Sequence, residues 1–465
     1  MPSQKSPFPW SRHGLSSPLP LVLSLAMALS GCSSWSPQAR GVPDPAVATT
    51  NASTSSLAQW WQRFNDPLLS TLVTQALQAN TSIRSSQAAL QQSRALRDVQ
   101  GAGLLPGVSA STSAQRSKSG DLDAGNSFKV GLDASWEPDI FGGKRSALNA
   151  SEADALAAGA TLADVQVSVA AEVALAYIQL RGQQTQLMIA RNNLKSQQET
   201  LQITDWRVQA GLTTSLELEQ ARTASEQTAA QIPTLETSIA QTQHSLAVLT
   251  GKTPLALQGQ LTPALAIPQA AEDLAQSISA QTLRQRPDVR AAEHRISAAL
   301  ARVSAADAAR YPSFSISGSL GLSALTLGGL TSGTSVASAL LGGISVPLFD
   351  GGAARAQVRA QEAGLEQSRA GYQAVVLTAL KDVEDALVAL AGNRARLVRL
   401  QNAATAADNA ALLAQQRYAS GLIDFQIVLQ TQRSLLTAQD SVASTSADIS
   451  ADHVRLYKAL GGGWN

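Results

Sequence analysis

Few residues in this 465-residue chain are placed to do covalent chemistry. There is one cysteine, Cys32, so no internal disulfide can form. It follows Ser30-Gly31 at the end of the apolar run from Leu19 to Leu29, which Arg12 and His13 precede. That run is too short to span a bilayer and has the layout of an export signal. The four histidines, His13, His244, His294 and His453, share no ligand spacing, so no metal site is expected. There is no phosphate-binding loop, no dinucleotide fingerprint and no G-x-S-x-G, so neither an enzyme nor a cofactor is expected. The chemistry left is that of surfaces: the charges Lys129, Asp133 and Glu137, and a group of polar residues near Gly211 and Gly421.

Composition narrows the partners. With 35 basic against 34 acidic residues and a net charge of +1, nothing favours nucleic acid. Charged residues are 15% and aromatics 4%, while alanine, glutamine, serine and leucine dominate, which favours helices packed through small side chains. Residues 33–56 are rich in Pro, Ser, Thr and Ala and read as an extended tether. Trp60, Trp61 and Phe64 then precede an amphipathic helix expected to run to about Gln100.

Two kinds of element must position the polar groups. Four segments alternate with period two and read as strands, at about 104–116, 127–137, 312–323 and 339–348. In the second, Phe128, Val130, Leu132, Ala134 and Trp136 share one face, and Lys129, Asp133 and Glu137 share the other. One face suits lipid and the other water. A soluble sandwich would need roughly seven strands. The rest is helical. Val289, Ala292, Ile296, Ala299, Val303 and Ala306 form a seam with alanine at alternate contacts. Val173, Leu180, Leu187, Leu194, Leu201 and Val208 fall at strict sevens. Val383, Leu390, Leu397, Ala404, Ala411 and Tyr418 repeat them at a constant offset of 210 residues. Such a helix, starting near Lys144, would be roughly 100 Å long. The chain is thus duplicated, as 57–258 and 259–465, with matching tips Arg207-Val-Gln-Ala-Gly211 and Arg417-Tyr-Ala-Ser-Gly421. The glycines read as left-handed caps. Thr214 with Glu217 reads as a capping box and Asp424 as a cap, while Pro233 is expected to kink or interrupt its helix.

The run RQRPDVRAAEHRISAALARVSAADAARYPSFSISGSLG resembles the mid-chain signature of the TolC/OprM-type outer-membrane efflux lipoproteins. The Trp60-Trp61 opening and QIPTLETSIAQTQHSLAVLTGKTP are similar to that family too, and the resemblance extends from Cys32 to Leu460. It implies the outer membrane efflux protein fold, mostly α with four transmembrane strands per chain. Three chains would make a twelve-stranded barrel above a periplasmic helical barrel, and four strands cannot close a barrel alone. It also implies a passive exit duct in the outer membrane for drugs, metals or other small molecules. The implied partners are a periplasmic membrane-fusion adaptor and an inner-membrane RND-type transporter. Ser30-Gly31-Cys32 resembles a lipobox, which implies a signal peptide at 1–31 and a Cys32 carrying S-diacylglycerol and an N-palmitoyl chain. A plain signal peptide with a chance cysteine is the alternative. The resemblance places a gate and adaptor-docking surface at the tips, at Gly211, Arg417, Tyr418, Gly421 and Asp424. Gln430 stands where relatives often carry a constricting aspartate. Lys129, Asp133 and Glu137 would line the lumen. A protein-secretion exit duct and a non-conducting coiled-coil tether remain as alternatives.

Overall fold

The computed structural model describes residues 59–118, 120–121, 123–270 and 284–462. Cys32, the export signal and the tether lie outside them. A 3-10 turn at Trp60–Phe64 leads into α1 (Pro67–Ala79) and α2 (Thr81–Ala102). Strands β1 (Gly107–Ser117) and β2 (Gly125–Trp136) follow. Helices α3 (Gly143–Gln209) and α4 (Ser215–Leu249) complete the first half. The second half repeats the order with α5 (Pro287–Ala308), β3 (Ser313–Ala324), β4 (Val336–Ser345), α6 (Ala353–Ala419) and α7 (Phe425–Ala459).

The duplication is close to exact in length. Helices α3 and α6 each have 67 residues, α4 and α7 each have 35, and α2 and α5 each have 22. At 1.5 Å per residue the two longest span roughly 100 Å. Two sequence expectations need correction here. The opening helix is not continuous: Asn80 ends α1 and caps α2, its side chain accepting from the Ser82 and Ile83 N–H groups while its amide donates to the Leu249 carbonyl (2.8 Å). Of the kink or interruption expected at Pro233, the interruption does not occur, and α4 runs through it. The proline is exposed, so water can satisfy the carbonyl that its missing N–H leaves unpaired, and packing on α3 holds the helix on both sides of it.

The four strands form one antiparallel meander in the order β1-β2-β3-β4, with β1 and β4 at its edges. The long helices also form a row. Helix α4 packs on α3, α3 on α7 and α7 on α6, leaving α4 and α6 at the sides. Polar bonds cross each contact: Arg191 to Glu236 (2.6 Å), Asn193 to Gln439 (2.9 Å), and Asn393 to Asp452 (2.7 Å).

The largest core sits where the hairpin roots meet the start of the described chain. Trp60 stacks on Tyr457 with centroids 5.3 Å apart, among Leu69, Leu72, Val173, Ile178, Leu246 and Val454. One stretch of α3 is apolar and long enough to cross a membrane by composition, but this core accounts for much of its apolar character. Polar groups lock the core. Tyr177 donates to Asp66 (2.7 Å), whose other oxygen caps α1. The fully buried Arg181 donates to Gln184 (2.6 Å) and to the Pro263 carbonyl (2.7 Å), tying the connector between the halves to α3.

Burial, with the Asp66 carboxylate, pushes the Tyr177 phenol up to about 12. The folded state therefore holds this proton more tightly than the unfolded chain. The stability this adds is complete below about pH 10 and is lost as pH rises from about 10 to about 12. Tyr177→Phe should cost about 1.5–3 kcal/mol at neutral pH, since it removes a hydrogen bond to a charged group. It should also flatten the alkaline limb of thermal stability between those pH values. A variant that melts with the same alkaline slope as the parent would contradict the assignment.

Candidate functional site

The sheet sorts its side chains by strand alternation. Register sets Lys129 between Ser113 and Ser323, and Asp133 between Ser109 and Ser319. Ser111 donates to Asp133 across the strands (2.6 Å). This face is small and hydroxyl-rich and carries two charges. The other face sets Val130 between Thr112 and Leu322, and Leu132 between Ala110 and Leu320. Leu340 and Ile344 extend it onto β4, opposite Gly318 and Phe314. Trp136 marks its end, its indole N–H donating to the Leu104 carbonyl (3.0 Å). Glu137, expected on the polar strand face, lies one residue beyond β2 and pairs with Lys144 at 3.1 Å. It belongs to the strand-to-helix joint, where the positive charge at the helix start draws it. Leu341 falls on the polar face opposite Ser317, which its sequence neighbourhood did not suggest.

At the far end, the two helical hairpins turn side by side. Gly211 and Gly421 have φ of 70° and 71°. Leu212 N–H donates to the Arg207 carbonyl (2.8 Å) and Gly211 N–H to that of Val208 (2.9 Å), a Schellman motif that Leu422 and Gly421 repeat onto Arg417 and Tyr418. A network then bridges the halves. The Arg207 guanidinium lies 4.4 Å from the Tyr418 ring centroid and donates to the Tyr418 carbonyl (2.6 Å). The Tyr418 hydroxyl donates to Glu217 (3.0 Å), and Thr213 donates to the same carboxylate oxygen. Tyr418 also packs on Phe425, centroids 5.2 Å apart, in a small core with Ala221, Ala224, Ala414 and Val428. Burial comes first, and with the Glu217 contact raises the Tyr418 phenol above its ordinary value against the opposing pull of Thr204 and Arg207.

Two capping expectations fail at this place. Thr214 makes no side-chain cap, and the Glu217 carboxylate, expected to close the box, is engaged by Tyr418 and Thr213 instead. Asp424 occupies the cap position of α7, but its exposed carboxylate makes no cap hydrogen bond; its carbonyl takes the Ile427 N–H at 3.1 Å. Arg417 and Gln430 are exposed, and Gln430 lines a groove between α4 and α7 with Leu216, Glu219 and Arg433. The structure brings Tyr418 together with Arg207 and Glu217, which sequence reading did not select. Arg207 was accessible through the repeat, since it lies 210 residues before Arg417. Glu217 was not, since its local pattern suggested a cap.

An open sheet with one hydroxyl-rich and one apolar face, set on paired helices of roughly 100 Å, is the build of a duct through an outer membrane. The sequence profile described as Outer membrane efflux protein matches residues 72–252 and 278–462, and the chain belongs to that family. It is the outer-membrane channel component of an efflux system. The toluene efflux pump outer membrane protein TtgF of Pseudomonas putida is 31% identical, the match covering 96% of this chain and 97% of the relative. Outer membrane protein OprJ of Pseudomonas aeruginosa is 31% identical over 96% of this chain and 95% of its own. Among solved structures, the outer-membrane channel OprN superposes with a TM-score of 0.84 at 34% identity, covering 91% of this chain and 98% of that one. VceC of Vibrio cholerae gives 0.81 at 26%, covering 88% and 99%.

A Cβ placed at Gly421 would meet nothing within 4 Å, so Gly421→Ala carries only the left-handed backbone cost of about 1 kcal/mol. Amide exchange at Gly421 and Leu422, whose N–H groups close the motif, should accelerate about fivefold. Unchanged protection at these two amides would show that the tip does not depend on this conformation.

Proposed function

We propose that three copies of this chain close their sheets into a twelve-stranded barrel in the outer membrane and their helical rows into a tube below it. The assembly is a passive exit duct for drugs, metals or other small molecules. The observation that carries this reading is that sheet and helix row are both open at both sides, at β1 and β4 and at α4 and α6. Twelve strands lie within the range of closed barrels, and a symmetric ring leaves no edge. Lys129 and Asp133 then line the wet lumen, with Glu137 at its periplasmic mouth. Energy comes from an inner-membrane RND-type transporter, and a periplasmic membrane-fusion adaptor docks at the tips. Gly211 and Gly421 shape those tips, and Arg417, Asp424 and Gln430 present exposed polar groups there. The Arg207–Tyr418–Glu217 network holds the two hairpins together and keeps the aperture closed until the adaptor engages. Cys32 carries S-diacylglycerol and an N-palmitoyl chain that anchor the mature N-terminus.

Two measurements test the reading. In planar bilayers the purified protein should conduct in small discrete steps, and Arg207→Ala combined with Tyr418→Phe should raise the conductance several-fold. Silence from both proteins after folding and insertion would sink the channel reading. Labelling with radioactive palmitate should mark the parent and vanish in Cys32→Ala; label retained in that variant would place the lipid elsewhere.

A further inference from the structure

Helix α7 lies between α3 and α6 in the row. Along its middle the three helices leave a groove of about 650 Å³. Leu435 and Val442 of α7 form its floor. Met188 and Ile189 of α3 stand on one side, and Ala404 and Leu412 of α6 on the other. Ile267 of the connector also lines it, and the connector is held there by Ser450, whose hydroxyl donates to the Pro268 carbonyl (2.7 Å). Met188 and Leu412 are each 54% exposed, so the groove opens to solvent between them. A recess of this size and apolar lining suits a small organic molecule, whose sites run from about 300 to 1,000 Å³.

Two polar features say what kind of molecule. Gln432 lines the groove and is 6% exposed. Its Nε2 donates to Thr200 Oγ1 (3.0 Å). Thr200 uses its own hydroxyl proton on the Ser196 carbonyl (2.9 Å), so toward Gln432 it can only accept. That fixes the amide with its nitrogen toward α3. Gln432 Oε1 is then a buried acceptor with no donor among the described residues. Buried acceptors are normally paired, so this one calls for a donor from the groove. The second feature is Asp408, the one charged side chain among the lining residues. Asn393 donates to Asp452 across the antiparallel α6–α7 pair (2.7 Å). Asp408 is fifteen residues after Asn393 and Thr437 fifteen before Asp452, so Asp408 stands level with Thr437, beside the groove residue Gln439. Gln432 lies seven residues from Gln439, about 10 Å along the floor.

We propose that this groove is a binding site for an amphipathic organic cation. Its apolar body lies on Leu435 and Val442, its ammonium group faces Asp408, and an N–H or O–H further along donates to Gln432 Oε1. An anion would meet the Asp408 carboxylate and leave the acceptor unpaired. A purely apolar molecule would leave both polar groups unused. The occupant touches α3 of the first half and α6 and α7 of the second, so it bridges the two hairpins partway up, as the Arg207–Tyr418–Glu217 network does at the tips. The site is built within one chain, so it goes beyond the duct reading and does not depend on closure by further copies.

Quinacrine, a fluorescent acridine with an N–H donor and a protonated tertiary amine, is a suitable probe. It is titrated onto the full-length protein in lipid nanodiscs, with empty nanodiscs subtracted. Binding should saturate, and the anionic amphiphile 1-anilinonaphthalene-8-sulfonate should not displace it. Asp408→Asn should weaken it at least about fivefold through the lost charge. Gln432→Leu should weaken it about fivefold through the lost acceptor. Gln432→Glu keeps an acceptor at that place and should bind at least as tightly as the parent. Alkylation then reads the position. With the parent's own labelling subtracted, quinacrine should slow maleimide reaction at Leu412→Cys at least about fivefold, as expected of a largely covered side chain. It should leave unchanged the reaction at Val388→Cys, which is on α6 but outside the groove. Equal affinity in the parent, Asp408→Asn and Gln432→Leu overturns the proposal, as does unslowed alkylation at Leu412→Cys. Equal weakening in Gln432→Glu and Gln432→Leu makes Gln432 a packing residue and overturns the acceptor contact.

Discussion

Backbone N–H and C=O groups in a bilayer have no water to bond, so each needs a partner in protein, and a sheet in lipid can have no open edge. That constraint governs this molecule. Among the described residues the sheet has four strands and two edges, and its apolar face carries Val130, Leu132, Leu320, Leu340 and Ile344. The chain cannot meet the constraint alone, since bacterial outer-membrane barrels have about eight strands or more. Closure by further copies is the proposed answer.

The long helices face a different difficulty. A hairpin of roughly 100 Å cannot bury itself in a compact core, so it must hold register through a narrow seam. Alanine and small polar residues bring the helices close, and bonds such as Gln432 to Thr200 (3.0 Å) and Asn193 to Gln439 fix their relative heights. A purely apolar seam could slide by a heptad; buried amides and carboxylates oppose that, because a slip would leave them unpaired. The core at the hairpin roots supplies the firm anchor. There Arg181, Gln184 and Tyr177 join helix, connector and chain start through bonds that have few substitutes.

The halves share a backbone but not side chains where function is proposed. At the tips the glycines and the Schellman bonds are retained, so the backbone is the same in both. The side chains differ: Val208 in the first half corresponds to Tyr418 in the second, and Glu217 to Ile427. The guanidinium and carboxylate of the Arg207–Tyr418–Glu217 bridge come from the first half and the ring from the second. Duplication thus provides the frame, and divergence at a few positions provides a bridge between the halves.

Much of this was determined by sequence alone, because it depends on periodicity. The heptads at an offset of 210, the strand alternation and the glycines after Arg207 and Arg417 each act within a few residues, and the corresponding elements form where they indicate. β4 lies about three residues earlier than expected, ending at Ser345, because Pro347 lacks the N–H that a ladder requires. Tertiary structure decided what depends on competition. Glu217 abandons a local cap for a hydroxyl 201 residues away. Pro233 is tolerated because a neighbouring helix supports the chain on both sides. Asn80 breaks a helix in order to reach the Leu249 carbonyl. Glu137 leaves the strand for Lys144. In each case a partner distant along the chain, or a charge at the start of the next element, outweighs a local preference of about 1 kcal/mol. No local reading of the sequence contains that partner.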